Sequence, residues 1–233
     1  MIKGLTSVIV VGYHKTAISA HMTMACLANI TKYTDTEDYE LILIEDVPEF
    51  KVRDDYHVLK IDKHIILKKY TNYSTKMNLA AKKAKGEFIA FVQNDVFVWE
   101  GWLKGLRYYL ENGLGDAIIP SQFPSTRQHI LDTYTQTYEE GLNGGTRDAC
   151  MIMITREAFD KTGGFDDNLQ VFVEKDFYQR MSDAGINQIT TSKVDITHIT
   201  LGTHYQDMDA MDKKMHHDSL IQNNGVNPDD IKE

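Results

Sequence analysis

The chain has 233 residues, of which 42% are hydrophobic and 25% are charged, and 34 acidic against 25 basic residues give a formal net charge of −9. This length and composition are those of an ordinary soluble domain that buries a large core without disulfide bonds. The negative charge argues against general binding to nucleic acid or anionic lipid, and no apolar run approaches the roughly 18 residues of a membrane span.

The first half of the chain alternates strand patterns with helix patterns. Apolar or β-branched runs predict the strands, and apolar side chains at helical spacing predict the helices, with Ser74 as an N-cap and Gly86 as a stop. In chain order these are a strand at 6–13, a helix, strands at 39–46 and in IILKKY, a helix at 74–86, the strand EFIAFVQND and a helix closed by Gly113. This order predicts an α/β fold with a doubly wound, mostly parallel sheet and helices on both faces.

The second half continues with shorter elements and no linker that would divide the chain. In chain order they are a strand at 116–124, a polar stretch at 125–147, a strand at 149–154, a short helix from Arg156, the turn TGGFDDN, a helix at 174–185 and a strand at 193–200. A single domain is therefore predicted for residues 1–233.

Two features of the sequence predict a cytoplasmic location. The N-terminal stretch MIKGLTSVIVVGYHK lacks the small-residue cleavage site of a signal peptide. Cys26 and Cys150 stand alone, one in a helix pattern and one in a strand pattern, which favours packing residues in a reducing compartment.

Acidic side chains stand at the ends of two predicted buried strands. YELILIED ends on Glu45 and Asp46, and FIAFVQND ends on Asp95. Doubly wound sheets bind ligands at the carboxyl ends of their strands, so we expect these three carboxylates at one crevice.

Several stretches, in the right order, resemble the family 2 glycosyltransferases of the GT-A fold. SVIVVGYHK is similar to SVIIPTYNR, ELILIEDVPE to EIIVVDDGS, STKMNLAAKKAKGEFIAFVQNDV to ARNxGxxxAxGxYIxFLDxDD, and KTGGFDDN with FVEKDFYQR to the GGFDE turn and the ED segment. The resemblance implies metal-dependent, inverting transfer of a sugar from a nucleotide-diphosphate donor to an acceptor hydroxyl. It also implies a nucleotide-sugar-binding half at 1–113, an acceptor-binding and catalytic half at 114–200 and a C-terminal lid at 201–233.

The resemblance implies a divalent cation, Mg²⁺ or Mn²⁺, which would stabilise the charge that grows on the departing diphosphate. The DxD motif of the family reads Gln93, Asn94 and Asp95 here, so an amide replaces the first acid and should weaken the site. Asp95 is expected to bind the metal directly, and His198 in DITHIT is the expected second ligand because Mn²⁺ tolerates imidazole. The alternatives are that Asn94 and Asp95 cap the next helix and that His198 is structural.

A carboxylate near the sugar can take the proton of the attacking hydroxyl. The resemblance implies Glu174 in this role, with Asp176 as the substitute. The alternatives are that Glu174 only complements the helix dipole and that Asp176 braces the helix through an i, i+4 pair with Arg180.

The resemblance also implies residues that contact the donor and the acceptor. The donor candidates are Tyr13, Glu45, Asp46, Lys76, Asn78, Asn94 and Asp95. A UDP, GDP or dTDP sugar is expected, and a solvated helix face is the alternative for Lys76. Gly164 and Asp166 in the GGFDD turn are the acceptor candidates, with the polar stretch 125–147 as part of the acceptor wall. The expected acceptor is a glycan or another hydroxyl compound.

Other functions remain open at this stage. A nucleotidyltransferase shares the order of elements and the metal, but it should carry a Gly-rich basic loop where this chain has GYHKTAIS. A second alternative is an inactive domain that binds nucleotide sugar or glycan, and it is favoured by Gln93, the amide that replaces the first acid of the DxD motif. A modified DNA base as acceptor is disfavoured, but not excluded, by the negative charge.

Overall fold

The structure is a computed structural model that describes residues 1–12, 14, 16–34, 38–46, 59–123, 137–143, 150–169 and 173–199. Tyr13, most of the polar stretch 125–147 and the tail 201–233 lie outside the described residues, so the roles predicted for them stay predictions. No helix in the described part of the chain is long and apolar enough to cross a membrane.

The described residues form a mixed sheet with helices on both faces. The strands are β1 (Ile2–Val11), β2 (Tyr39–Asp46), β3 (Lys63–Leu67), β4 (Gly86–Gln93), β5 (Val96–Val98), β6 (Ala117–Phe123), β7 (Met151–Thr155) and β8 (Gln188–His198). The helices are α1 (Ala17–Tyr33), α2 (Tyr73–Lys83), α3 (Trp102–Glu111), α4 (Arg156–Thr162) and α5 (Val173–Asp183).

The strand order is β3-β2-β1-β4-β7-β6-β8-β5. β5 and β7 run antiparallel to their neighbours, and the other strands of this sheet share one direction. The predicted α/β architecture with a mostly parallel sheet is therefore confirmed.

The sheet curls strongly between β4 and β5. These strands are joined by two residues, Asn94 and Asp95, although β5 lies four positions from β4 in the strand order. Four strand spacings in a flat sheet amount to about 19 Å, whereas the chain from Gln93 to Val96 reaches at most about 11 Å. The run β4-β7-β6-β8-β5 must therefore bend round, so that the end of β8 returns to the end of β4.

Side chains that alternate along the central strands fill a separate core on each face. In β4, Ala90 and Val92 pack on the side of α1 and α3. Ile89 and Phe91 pack on the opposite side, with α2, α4 and α5. Side chains two residues apart in a strand point to the same face of the sheet, so Gln93 at the end of β4 points to the same face as Phe91.

Local hydrogen bonds explain where α2 begins. Asn72 is the N-cap, and its Oδ1 accepts from the backbone N–H of Thr75 at 2.8 Å. The predicted cap Ser74 is wrong, because this residue lies within the first turn and its Oγ donates to the carbonyl of Leu169 at 3.0 Å. Gly86 begins β4 and does not end the helix.

Candidate active site

Asp95 and His198 meet at the edge of the sheet where β4 and β8 end. Nε2 of His198 lies 3.3 Å from Oδ1 of Asp95, and the side chains are 13% and 16% exposed. The β5–β8 ladder pairs Val96 with His198, and the backbone N–H of Ile199 donates to the Asp95 carbonyl at 3.0 Å. The two residues that the sequence analysis assigned to a metal are thus brought together by the curl of the sheet.

This pair has the geometry of two neighbouring metal ligands. Ligands at about 2.1 Å from an octahedral ion stand about 3.0 Å apart when they are adjacent, close to the observed separation. Oδ1 of Asp95 is buried and accepts no hydrogen bond within the described residues. A group of three His, Cys, Asp or Glu side chains that could hold a metal is not found among those residues either.

The two amides before Asp95 are engaged with other elements. Nε2 of Gln93 donates to Oε1 of Glu174 at 3.2 Å. Nδ2 of Asn94 donates to Oγ1 of Thr23 on α1 at 2.9 Å. The helix-capping alternative for Asn94 and Asp95 is wrong, because α3 follows Gly101 and has no side-chain cap.

Glu174, the expected base, lies in the first turn of α5 and faces the end of β4. It lines a small cavity together with Tyr73, Cys150 and Tyr178. Burial raises the pKa of Tyr73 well above its usual range, and the charges of Glu174 and Asp95 raise it further. The two carboxylates therefore act on the same interior region, which favours neutral or cationic groups there.

Asp176, the substitute base, is tied to Arg180. Its Oδ2 accepts from Nε of Arg180 at 2.8 Å and lies 2.7 Å from Nη2. Nη1 of Arg180 donates to the carbonyl of Gly164 at 2.6 Å. The bracing role that the sequence left open for Asp176 is the one that this geometry supports.

Asn78, predicted to contact the donor, fastens α2 to the turn that follows α4. Its Nδ2 donates to the carbonyl of Phe165 and to Oδ1 of Asp167, each at 2.8 Å, and its Oδ1 accepts from the backbone N–H of Phe165 at 2.9 Å. Both ends of the amide are thus engaged within the protein, and a donor contact from Asn78 stays a prediction.

The acceptor candidates lie in this same turn. Gly164 has φ +76°, and a Cβ there would stand 2.6 Å from Oδ1 of Asn78, so the close approach to α2 requires glycine. Oδ1 of Asp166 accepts from the backbone N–H and the side chain of Asn168, each at 2.9 Å. The turn is thus built by its own contacts, and acceptor binding by Gly164 and Asp166 stays a prediction.

Two histidines that the sequence analysis missed enclose Glu45. Nδ1 of His14 lies 2.7 Å from Oε2, and Nε2 of His64 lies 2.6 Å from Oε1, while the Glu45 side chain is 1% exposed. Burial raises the pKa of Glu45, but hydrogen bonds and charge from His14 and His64 outweigh it and leave the pKa below its ordinary value. Each oxygen of Glu45 thus faces an imidazole, and a donor contact from Glu45 stays a prediction. The contact from His64 depends on the register of β3 against β2, which the sequence does not show. That register pairs His64 with Leu43, two residues before Glu45 in β2.

Asp46 and Lys76 form a nearly buried ion pair beside this cluster. Nζ of Lys76 lies 2.5 Å from Oδ2 of Asp46, and the two side chains are 5% and 19% exposed. The alternative that placed Lys76 on a solvated helix face is therefore wrong. The pair stands at the same edge of the sheet as Asp95, where a donor contact remains a prediction.

Comparisons with known proteins agree with this architecture. The family model for Glycosyl transferase family 2 matches residues 7–163. A structure of S. aureus TarS 1–349 is 14% identical with a TM-score of 0.67 and covers 97% of this chain and 73% of that one. The TarS complex with UDP-GlcNAc has a TM-score of 0.64 at 14% identity, covering 97% and 74%.

GalNAc-T7, in a structure with UDP, GalNAc and Mn²⁺, is 16% identical with a TM-score of 0.67; the match covers 83% of this chain and 43% of that one. This chain thus spans less than half of the GalNAc-T7 chain. No curated protein sequence matches the chain. Together with the family match, these structures confirm the GT-A type of fold.

Replacing Glu45 with Gln should destabilise the fold most at neutral pH. Because the pKa of Glu45 is lowered, its ionised form contributes stability above the ordinary value of 4.5, and this contribution is lost as the pH falls through the lowered pKa. We expect a loss of about 1–3 kcal/mol at neutral pH, measured by urea unfolding, which shrinks on acidification. The exposed Glu100→Gln is the control. A loss that stays constant down to acid pH would contradict the ionised cluster.

Replacing Asn78 with Ala should cost stability and leave nucleotide affinity intact. The change leaves the backbone groups of Phe165 without their partner, which should lower the free energy of unfolding by about 1–3 kcal/mol. Asn112→Ala, at a site where the amide donates to the Tyr108 carbonyl on an exposed helix end, should change it by less than about 0.5 kcal/mol. Lost UDP binding with unchanged stability would instead support the donor-binding role.

Proposed function

Since this chain belongs to glycosyl transferase family 2, we propose that it transfers a sugar from a nucleotide-diphosphate donor to an acceptor hydroxyl, with inversion and with a divalent metal. The observation that carries the proposal is the convergence of Asp95 and His198 at the carboxyl edge of the sheet, on the same side as Glu174. Family membership speaks against the nucleotidyltransferase alternative.

The structural neighbours favour a UDP-sugar over the GDP and dTDP alternatives. TarS is seen with UDP-GlcNAc, and GalNAc-T7 with UDP, GalNAc and Mn²⁺. We therefore propose UDP-N-acetylhexosamines as the first donors to test, and Mn²⁺ or Mg²⁺ as the cation.

Each residue at the edge has a separate task in this proposal. A cation bound by Asp95 and His198 would supply positive charge beside the diphosphate. The Glu174 carboxylate takes the proton of the attacking hydroxyl, because it lies in the first turn of α5 and faces the end of β4. Asp46, held by Lys76, and the imidazoles on Glu45 line the part of the crevice where the nucleoside would lie.

Binding without turnover is the second candidate function, and the observation that favours it is the amide at Gln93 where the family pattern has an acid. Both functions require that the donor bind at Asp95. They differ in whether UDP is released from the donor.

Asp95→Asn should abolish both metal-linked donor binding and turnover. The carboxylate supplies a charge that the amide lacks, so we expect UDP release from UDP-GlcNAc or UDP-GalNAc with Mn²⁺ to fall by about 100-fold or more. The rise in melting temperature on adding UDP and Mn²⁺ to the wild type should also disappear, since only a ligand of the folded state stabilises it. Asp160→Asn, on the exposed face of α4, is the matched control.

The outcomes separate the alternatives. UDP release that Asp95→Asn leaves intact would overturn the metal assignment. Wild-type protein that is stabilised by UDP and Mn²⁺ but releases no UDP from either donor would favour the binding function.

A further inference from the structure

We propose that Gln93 is a positioning residue for Glu174, so that this amide serves the base and does not stand in for a lost metal ligand. The inference rests on the proposed role of Glu174 as base. The observation is the hydrogen bond from Nε2 of Gln93 to Oε1 of Glu174, which joins the last residue of β4 to the first turn of α5.

The strand fixes the direction in which Gln93 points. Its backbone N–H donates to the Cys150 carbonyl at 3.0 Å, and its own carbonyl accepts from Sγ of Cys26 at 3.6 Å. The backbone of Gln93 is therefore held on one side by Cys150, the residue before β7, and on the other side by Cys26 of α1. Two residues earlier, Phe91 packs into the core beneath α5, and the period of the strand sends the Gln93 side chain to that same face.

α5 presents Glu174 to this side chain and anchors it independently. Phe177 packs on Phe165 with ring centroids 4.1 Å apart, and Arg180 donates to the Gly164 carbonyl. These contacts hold the helix against the turn after α4, one turn or more away from Glu174. The amide of Gln93 then restrains the carboxylate itself, at the end of the helix that faces the site.

The chemistry of the pair requires an amide at position 93. An ionised carboxylate is an acceptor only, so the group that faces it must donate, and the NH₂ of Gln93 does. A hydrogen bond to the charged form favours ionisation, whereas a like charge disfavours it. An acid at 93 would place another carboxylate beside Glu174, which would then lose the hydrogen bond from Gln93 and gain a repulsive neighbour.

This inference and the lost-ligand interpretation predict opposite results for one variant. If Gln93 were a metal ligand lost from the family pattern, Gln93→Glu would restore a carboxylate, tighten Mn²⁺ binding and raise turnover. If Gln93 positions the base, the same change should lower turnover and destabilise the fold through repulsion from Glu174.

The test uses the full chain in five forms: wild type, Gln93→Glu, Glu174→Gln, the swapped double variant Gln93→Glu/Glu174→Gln, and the control Gln179→Glu. The control makes the same change on the exposed side of α5, where Gln179 donates to Asp183. Melting temperature, Mn²⁺ affinity and UDP release from UDP-GlcNAc and UDP-GalNAc are measured for each.

We expect Gln93→Glu to lower the melting temperature at neutral pH by about 2 °C or more relative to the control. The swapped variant should regain most of this loss, because one amide again faces one carboxylate. Turnover should fall about 100-fold in Gln93→Glu with little change in the donor KM, and the swapped variant should stay inactive because its carboxylate is on the strand.

Three results would overturn the inference: a higher Mn²⁺ affinity or turnover in Gln93→Glu, a loss of melting temperature that persists when Glu174 is Gln, or recovery of activity in the swapped variant. The melting temperatures do not depend on catalysis. If the wild-type protein releases no UDP, the proposed function is wrong. The melting temperatures of the single and swapped variants would still show whether Gln93 and Glu174 interact.

Discussion

The short connection between β4 and β5 is the constraint on which the site depends. Because two residues join strands that lie four places apart, the sheet bends until the end of β8 reaches the end of β4. Asp95 is in that connection and His198 is at that end, so the same bend that satisfies the chain places a carboxylate beside an imidazole. The connection is only two residues long, so the pairing of β5 with β8 determines where Asp95 lies relative to His198.

The charged side chains at this edge of the sheet are largely paired with one another. Three of the acids there contact basic side chains within the protein, in the pairs His14–Glu45, His64–Glu45, Lys76–Asp46 and His198–Asp95. A diphosphate brings further negative charge into a crevice whose lysine is neutralised by Asp46. Desolvating that charge is costly unless a positive partner accompanies it, and the cation that we propose for Asp95 and His198 would supply that positive charge.

The sequence predicted most of the elements and the residues at strand ends, and the family resemblance brought Asp95 and His198 to one site. β5 and most of the other contacts between elements were not predicted. Asp95 and the strand before it could be placed because a buried apolar run, its polar end and the rule for doubly wound sheets act along one short stretch. The partners of Glu45 could not, since they depend on the register of β3 against β2 and on a residue beyond the end of β1. The contacts of Asn78 could not be predicted either, because nothing in the sequence of α2 indicates that its amide binds a turn almost ninety residues away.

The glycine turn after α4 links these distant contacts to the chemistry. Asn78 on α2 holds Phe165, and Arg180 on α5 holds the carbonyl of Gly164, so one turn fastens both helices. The missing side chain of Gly164 permits this approach, because a Cβ would meet the Asn78 amide. The GGFDD motif therefore bears on the site even without touching an acceptor. Its contacts position α5, and the position of α5 decides whether Glu174 reaches Gln93 at the end of β4.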